Sequence, residues 1–80
     1  MENIIDKLTY KIVSLDNKIS IKVYENSIIL VKYYNENNFL SKCIDIEEIF
    51  KWVGLFGIEM TSKDIIATLN EDIKECYEDN

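Results

Sequence analysis

Alternating apolar and polar side chains mark the first part of the chain. At positions 8–12 and again at positions 19–23, apolar residues occupy every second place. This period of two is typical of half-buried β-strands. Asp16 and Asn17, between the two runs, tolerate the positive φ of a two-residue turn, so the pattern predicts a hairpin. Residues 2–8 form either one helical turn or a lead into the first strand.

Two further strands are predicted before the pattern changes. A turn at Glu25-Asn26-Ser27 leads into residues 28–34, which are apolar on both faces, as in the inner strand of a sheet. Asn35-Glu36-Asn37-Asn38 forms a loop, and residues 39–44 are a fourth, shorter strand.

Helical spacing of the apolar residues begins at Asp45. Asp45 and Glu48 have the spacing of a capping box, and Gly57 is a plausible C-terminal stop for the helix that follows. Thr61 or Ser62 then caps a last helix. The apolar face of this last helix consists of Ile65, Ile66, Leu69, Ile73, Cys76 and Tyr77.

The order of these elements predicts an α+β fold with a single domain over residues 1–80. A small antiparallel β-meander of three or four strands is followed by two C-terminal helices packed on one of its faces. Trp52 is assigned to the core beside Phe50 and Val53, with an interface anchor as the alternative.

The composition removes most of the residues that catalytic and metal sites use. The 80 residues include no histidine and no arginine, and the glycines fit no phosphate-binding motif. We therefore expect no enzyme activity, no catalytic residue, no cofactor and no metal. Without a visible signal peptide or an apolar run of spanning length, the sequence predicts a cytoplasmic protein with reduced Cys43 and Cys76 in or near the core.

Negative charge is concentrated in the second part of the chain. Residues 1–44 contain six lysines and five acidic residues, whereas residues 45–80 contain three lysines and ten acidic residues. Acidic side chains near a helix C-terminus oppose the helix dipole, and like charges at helical spacing repel. This unfavourable arrangement favours a partner-binding role, with solubility as the alternative. The candidate residues are Asp64, Glu71, Asp72, Glu75, Glu78 and Asp79.

The sheet provides a second candidate surface, because two helices cover only one face of a small sheet. If Ile29, Val31 and Tyr33 point to the core, Leu30 and Tyr34 lie on the uncovered face. This face would be partly apolar and would suit a partner or a homodimer. The alternatives are that the N-terminal segment covers it, or that this strand has the opposite orientation.

In size, charge and order of elements, the chain resembles the small acidic anti-CRISPR inhibitors encoded by phages. The resemblance implies an inhibitor or regulator that binds a basic protein surface, such as a nuclease or nucleoprotein effector, as a nucleic-acid mimic. As an alternative, residues 45–69, with Ile49-Phe50-Lys51-Trp52 and Thr61-Ser62-Lys63-Asp64-Ile65, resemble the peptide-recognition elements of peptide-modifying systems, although the further helix of those elements is absent. A net charge of −6 argues against direct binding of nucleic acid, and no membrane partner is expected.

Overall fold

A computed structural model describes residues 3–78 of the chain. It contains an N-terminal helix, a three-stranded sheet and a long C-terminal helix. In chain order these are α1 (Ile4–Leu15), β1 (Ile19–Val23), β2 (Ser27–Tyr33), β3 (Phe39–Asp45) and α2 (Ile46–Tyr77). The predicted α+β class is confirmed, and so are the three strands between positions 19 and 45.

The first predicted strand is wrong, because this segment forms α1. The side chain of Asn3 caps the helix by accepting a hydrogen bond from the backbone N–H of Asp6 at 2.7 Å. Ile5, Leu8 and Ile12 lie on one helical face and are buried. Leu8 and Ile12 are four residues apart and therefore fit a strand and a helix equally well. The predicted hairpin at Asp16-Asn17 is consequently a helix-to-strand connection.

The three strands form an antiparallel meander in the order β1-β2-β3. Ile21 lies opposite Leu30 across the β1–β2 pair, and Leu30 lies opposite Lys42 across the β2–β3 pair. The β2–β3 turn is held by the side chain of Asn35, which accepts hydrogen bonds from the backbone N–H groups of Asn37 and Asn38, each at 3.0 Å.

The orientation of β2 is the opposite of the one assumed for the second candidate surface and is the alternative that the sequence left open. Leu30 and Ile28 are fully buried, whereas Ile29 and Val31 are only half-buried on the opposite face. Cross-strand neighbours point to the same side of a sheet, and Leu30 shares its side with Ile21 on β1, which packs against the core. Because β2 is apolar on both faces, its own sequence could not distinguish the two orientations. Leu30 is therefore a core residue and not a surface candidate.

Helix α2 begins after Asp45, as predicted, but without the predicted capping box. The Asp45 side chain makes no capping hydrogen bond. Instead, the backbone N–H of Ile46 donates to the carbonyl oxygen of Asn26 in the β1–β2 turn at 3.0 Å. This hydrogen bond joins the start of α2 to the sheet.

Gly57 divides α2 into two helical segments. Its backbone has φ 84° and ψ 168°, a region that is essentially restricted to glycine. The predicted break at Gly57 is thus confirmed, although the second segment resumes directly after it. Thr61 and Ser62 do not cap that segment, because both are buried inside it.

The core lies between the helices and one face of the sheet. Helix α1 packs against α2 and β1, and α2 packs against β3. The two predicted C-terminal helices correspond to the two segments of α2, and their predicted location on one face of the sheet fits this core. Helix α1, which was not predicted, packs against the same core. The fully buried apolar side chains are Leu8, Ile12, Ile28, Leu30, Ile49 and Leu69. Within residues 3–78, no helix has the length and apolar character needed to cross a membrane.

Candidate functional site

Four of the acidic candidate residues lie on the exposed side of the second segment of α2 and at its C-cap. Asp64, Glu71, Glu75 and Glu78 are all exposed, and we call these four residues the acidic row. At 3.6 residues per turn their positions fall within about 60° of one another around the helix axis. None of the ion pairs among residues 3–78 includes a member of the row. The row thus presents four exposed carboxylates along one line, none of them in an ion pair.

The other two acidic candidates, Asp72 and Asp79, are not counted in the row. Asp72 is turned toward the sheet, where its Oδ2 atom lies 3.4 Å from Nζ of Lys42 on β3. This ion pair helps to dock α2 on the sheet and compensates the charge of Asp72. Asp79 lies outside the described residues.

Tyr34, the second sheet candidate, lies close to the C-terminal end of the acidic row. Its ring stacks on that of Tyr77 with 5.3 Å between the centroids. The hydroxyl of Tyr77 donates a hydrogen bond to the carbonyl oxygen of Phe39 at 2.6 Å, which holds the end of α2 against β3. Tyr34 and Glu78 line one shallow cavity of about 300 Å³. The structure therefore brings Tyr34 and Glu78 together, with Leu30 apart from both.

The uncovered face of the sheet exists, but it carries different residues from those predicted. Ile29 and Val31 are half-buried there, and Tyr33 and Phe39 are exposed with their ring centroids 5.3 Å apart. Lys22 lies opposite Ile29 at the β1 edge. The reversal of β2 explains why the sequence pointed to Leu30 instead of these side chains.

A groove at the Gly57 kink was not foreseen from the sequence. It has a volume of about 330 Å³, and its walls are Trp52, Phe56, Met60, Thr61 and Asp64. Trp52 and Phe56 belong to the helical segment before Gly57, and the other three belong to the segment after it. Trp52 is half-buried and packs against the core, in keeping with its predicted assignment to the core. Gly57 is the one feature of the sequence that could have predicted the groove. A break in an amphipathic helix changes which side chains the two segments can bury, and it can leave apolar side chains exposed at the kink.

The remaining chemistry of the described residues is sparse. No group of three His, Cys, Asp or Glu side chains within residues 3–78 is placed to hold a metal ion. Cys43 and Cys76 are free thiols, and both are exposed instead of lying in the core. Asp64 joins the two main surface features of the described residues, because it is a wall of the apolar groove and the first member of the acidic row. Comparison of the chain with protein-family models, curated proteins and solved structures finds no match.

Proposed function

We propose that this protein is a small inhibitor or regulator that acts by binding another protein instead of by catalysis. Its acidic row docks on a basic surface of the partner. The observation that carries the proposal is the exposure and lack of ion pairs of Asp64, Glu71, Glu75 and Glu78 on one side of α2. Glu78 follows Asp64 by 14 positions, so the row extends for about 21 Å along the helix.

The row is a poor choice for stability alone. Glu71 and Glu75 are one turn apart and repel each other, and Glu78 adds negative charge at the helix C-terminus, where the dipole disfavours it. At exposed sites the repulsion costs about 0.2–0.5 kcal/mol and the dipole effect about 0.3–1 kcal/mol. A basic partner would remove this repulsion and would also be attracted over a distance, which accelerates association.

A protein that binds nucleic acid is the kind of partner that fits best. Its binding groove is basic because it has to neutralise a line of phosphates. Glu71 and Glu75 are about 6 Å apart along the helix axis, so the row offers a line of negative charge, although a less dense one than a phosphate backbone. Occupation of such a groove in a nuclease or nucleoprotein effector, in the cytoplasm, would block access of nucleic acid.

Two charge-matched double variants test the role of the row. Glu71→Lys with Glu75→Lys reverses two members of the row, and Glu25→Lys with Glu36→Lys reverses two exposed acids in turns. Each change adds two positive charges, so both doubles move the formal net charge from −6 to −2. Proteins captured from a bacterial lysate by the wild type are identified, purified and measured for association rate at several salt concentrations.

The row double should lose binding mainly through slower association, whereas the turn double should bind like the wild type. Wild-type binding should weaken with added salt, and it should compete with nucleic acid for the captured protein. Both doubles should stay folded, because exposed charge changes alter stability by about 0.5 kcal/mol or less. If both doubles lost binding equally, net charge alone would explain the effect. If neither double lost binding, the row would not be part of the interface.

A further inference from the structure

The groove at the kink of α2 is open to a partner on its outer side. Met60 and Phe56 form its walls although 61% of Met60 and 58% of Phe56 are exposed to solvent. Exposed apolar side chains that line one concave surface are typical of a contact site, whereas scattered ones are ordinary. Methionine in particular adapts its shape to different partners.

Thr61, a wall residue of the groove, has a buried hydroxyl without a hydrogen bond. The side chain lines the groove, the residue is 3% exposed, and its Oγ1 atom is without a hydrogen-bond partner among residues 3–78. Elsewhere in α2 such hydroxyls donate to the carbonyl oxygen four residues earlier, as Ser62 does to Ile58 at 2.7 Å. For Thr61 that carbonyl belongs to Gly57, whose backbone is not helical. A buried unsatisfied hydroxyl costs about 1–3 kcal/mol, so the fold itself gains nothing from this polar group.

Asp64 connects the groove with the acidic row. It is both a wall of the groove and the first member of the row, which continues from it to Glu78. A segment that places an apolar side chain in the groove therefore passes next over four carboxylates. Positive charge on that segment is the complement that this surface requires.

We propose that the groove receives one large apolar side chain of a partner segment whose neighbouring lysines or arginines lie over the acidic row. This inference rests on the proposed function, because it uses the same row, and it adds the anchor. The apolar anchor supplies affinity and register, since it buries against Phe56 and Met60. The basic side chains supply electrostatic attraction along the acidic row, which extends for about 21 Å of helix.

Three synthetic peptides of equal length test the proposed partner chemistry. The first has one leucine followed by lysines separated by alanines, the second has serine in place of the leucine, and the third has glutamates in place of the lysines. Trp52 is the chain's single tryptophan and lines the groove, so its fluorescence reports occupation directly. The first peptide should shift the emission to shorter wavelength, the second should bind about tenfold or more weakly, and the third should not bind.

Variants of the protein separate the groove from the row. Met60→Ser should weaken binding of the leucine peptide about tenfold, whereas Leu55→Ser should have no effect. Leu55 is the matched control because it is 67% exposed but lies outside the walls of the groove. Glu71→Lys with Glu75→Lys should weaken both lysine peptides and reduce their dependence on salt.

Each contrary result has a distinct meaning. If Met60→Ser and the serine peptide change nothing while the row double abolishes binding, the anchor is overturned and the proposed function stands. If Met60→Ser weakens binding but the row double does not, the basic chemistry of the segment is overturned, together with the role of the row. A concentration-dependent shift of Trp52 emission without peptide, with a dimer in sedimentation, would overturn the proposal by showing that a second copy fills the groove.

Discussion

Nζ of Lys32, on the helix-covered face of β2, lies 2.6 Å from Oδ2 of Asp16 in the connection between α1 and β1. The same ammonium group donates to Oδ1 of Asn70 on α2 at 2.7 Å. One lysine thus links the end of α1, the central strand and the long helix. Both side chains of the ion pair are largely removed from solvent. Removal of either partner would therefore leave a largely buried charge without its counter-charge and destabilise the fold.

The Asp16–Lys32 pair predicts a pH-dependent stability. Burial alone would raise the pKa of the Asp16 carboxyl group, but the hydrogen bonds from Lys32 and from the backbone N–H of Lys18, with both positive charges, hold the pKa below its ordinary value of 3.8. The unfolded chain therefore binds the proton more readily. The stabilising contribution is complete above the unfolded pKa and is lost as the pH falls through the folded one.

Asp16→Asn should accordingly lower the free energy of unfolding by about 1–2 kcal/mol at neutral pH. The difference between wild type and variant should shrink as the pH falls below about 4, since protonated Asp16 no longer attracts Lys32. Denaturant unfolding of both proteins across this range measures it, and the other carboxyl groups cancel in the difference. A difference that does not change with pH would contradict this account.

Gly57 and Gly54 should respond to alanine with opposite signs. At neither site does another atom lie within 4 Å of an added Cβ, so the backbone conformation alone decides whether alanine stabilises or destabilises the protein. Gly57→Ala forces a non-glycine residue into its positive-φ region and should cost about 1–3 kcal/mol, or straighten α2 and change the emission of Trp52. Gly54→Ala lies in a regular helix and should stabilise by about 0.5–1 kcal/mol. Thermal unfolding of the two variants checks this prediction. An increase in stability for both variants would argue against the kink at Gly57.

Thr61→Val should raise stability. The substitution keeps the branched shape and removes a hydroxyl that is buried without a hydrogen bond, so the gain should be about 1 kcal/mol. Ser62→Ala is the comparison, because the Ser62 hydroxyl is buried but donates to Ile58, and its removal should lower stability. Chemical denaturation distinguishes the two. A lower stability of Thr61→Val would mean that the Thr61 hydroxyl forms a hydrogen bond in solution.

The orientation of β2 can be tested with a pair of neighbouring substitutions. Leu30 is fully buried against the helices, so Leu30→Ala should destabilise by about 2–5 kcal/mol. Val31→Ala changes the half-buried outer face and should cost clearly less. Unfolding midpoints of the two variants measure this contrast. Equal costs, or a larger cost at Val31, would reverse the assignment of the two faces.

The sequence by itself determined much of the chain's local structure. It determined the three strands, the start of α2 after Asp45 and the break at Gly57, because alternation, turn residues and glycine act over a few neighbouring positions. It also indicated that Glu71, Glu75 and Glu78 share one side of a helix, which follows from helical periodicity alone.

Tertiary structure decided what local patterns left ambiguous. Leu8 and Ile12 suit a strand or a helix, and burial of Ile5 with them is compatible only with the helix that packs against α2. Leu30 faces the core together with its cross-strand neighbour Ile21, a relationship between strands that the pattern of β2 does not contain. The pairing of Asp72 with Lys42 likewise joins residues 30 positions apart. The groove at Gly57 depends on the direction in which α2 continues after the kink, and packing against the sheet and α1 fixes that direction.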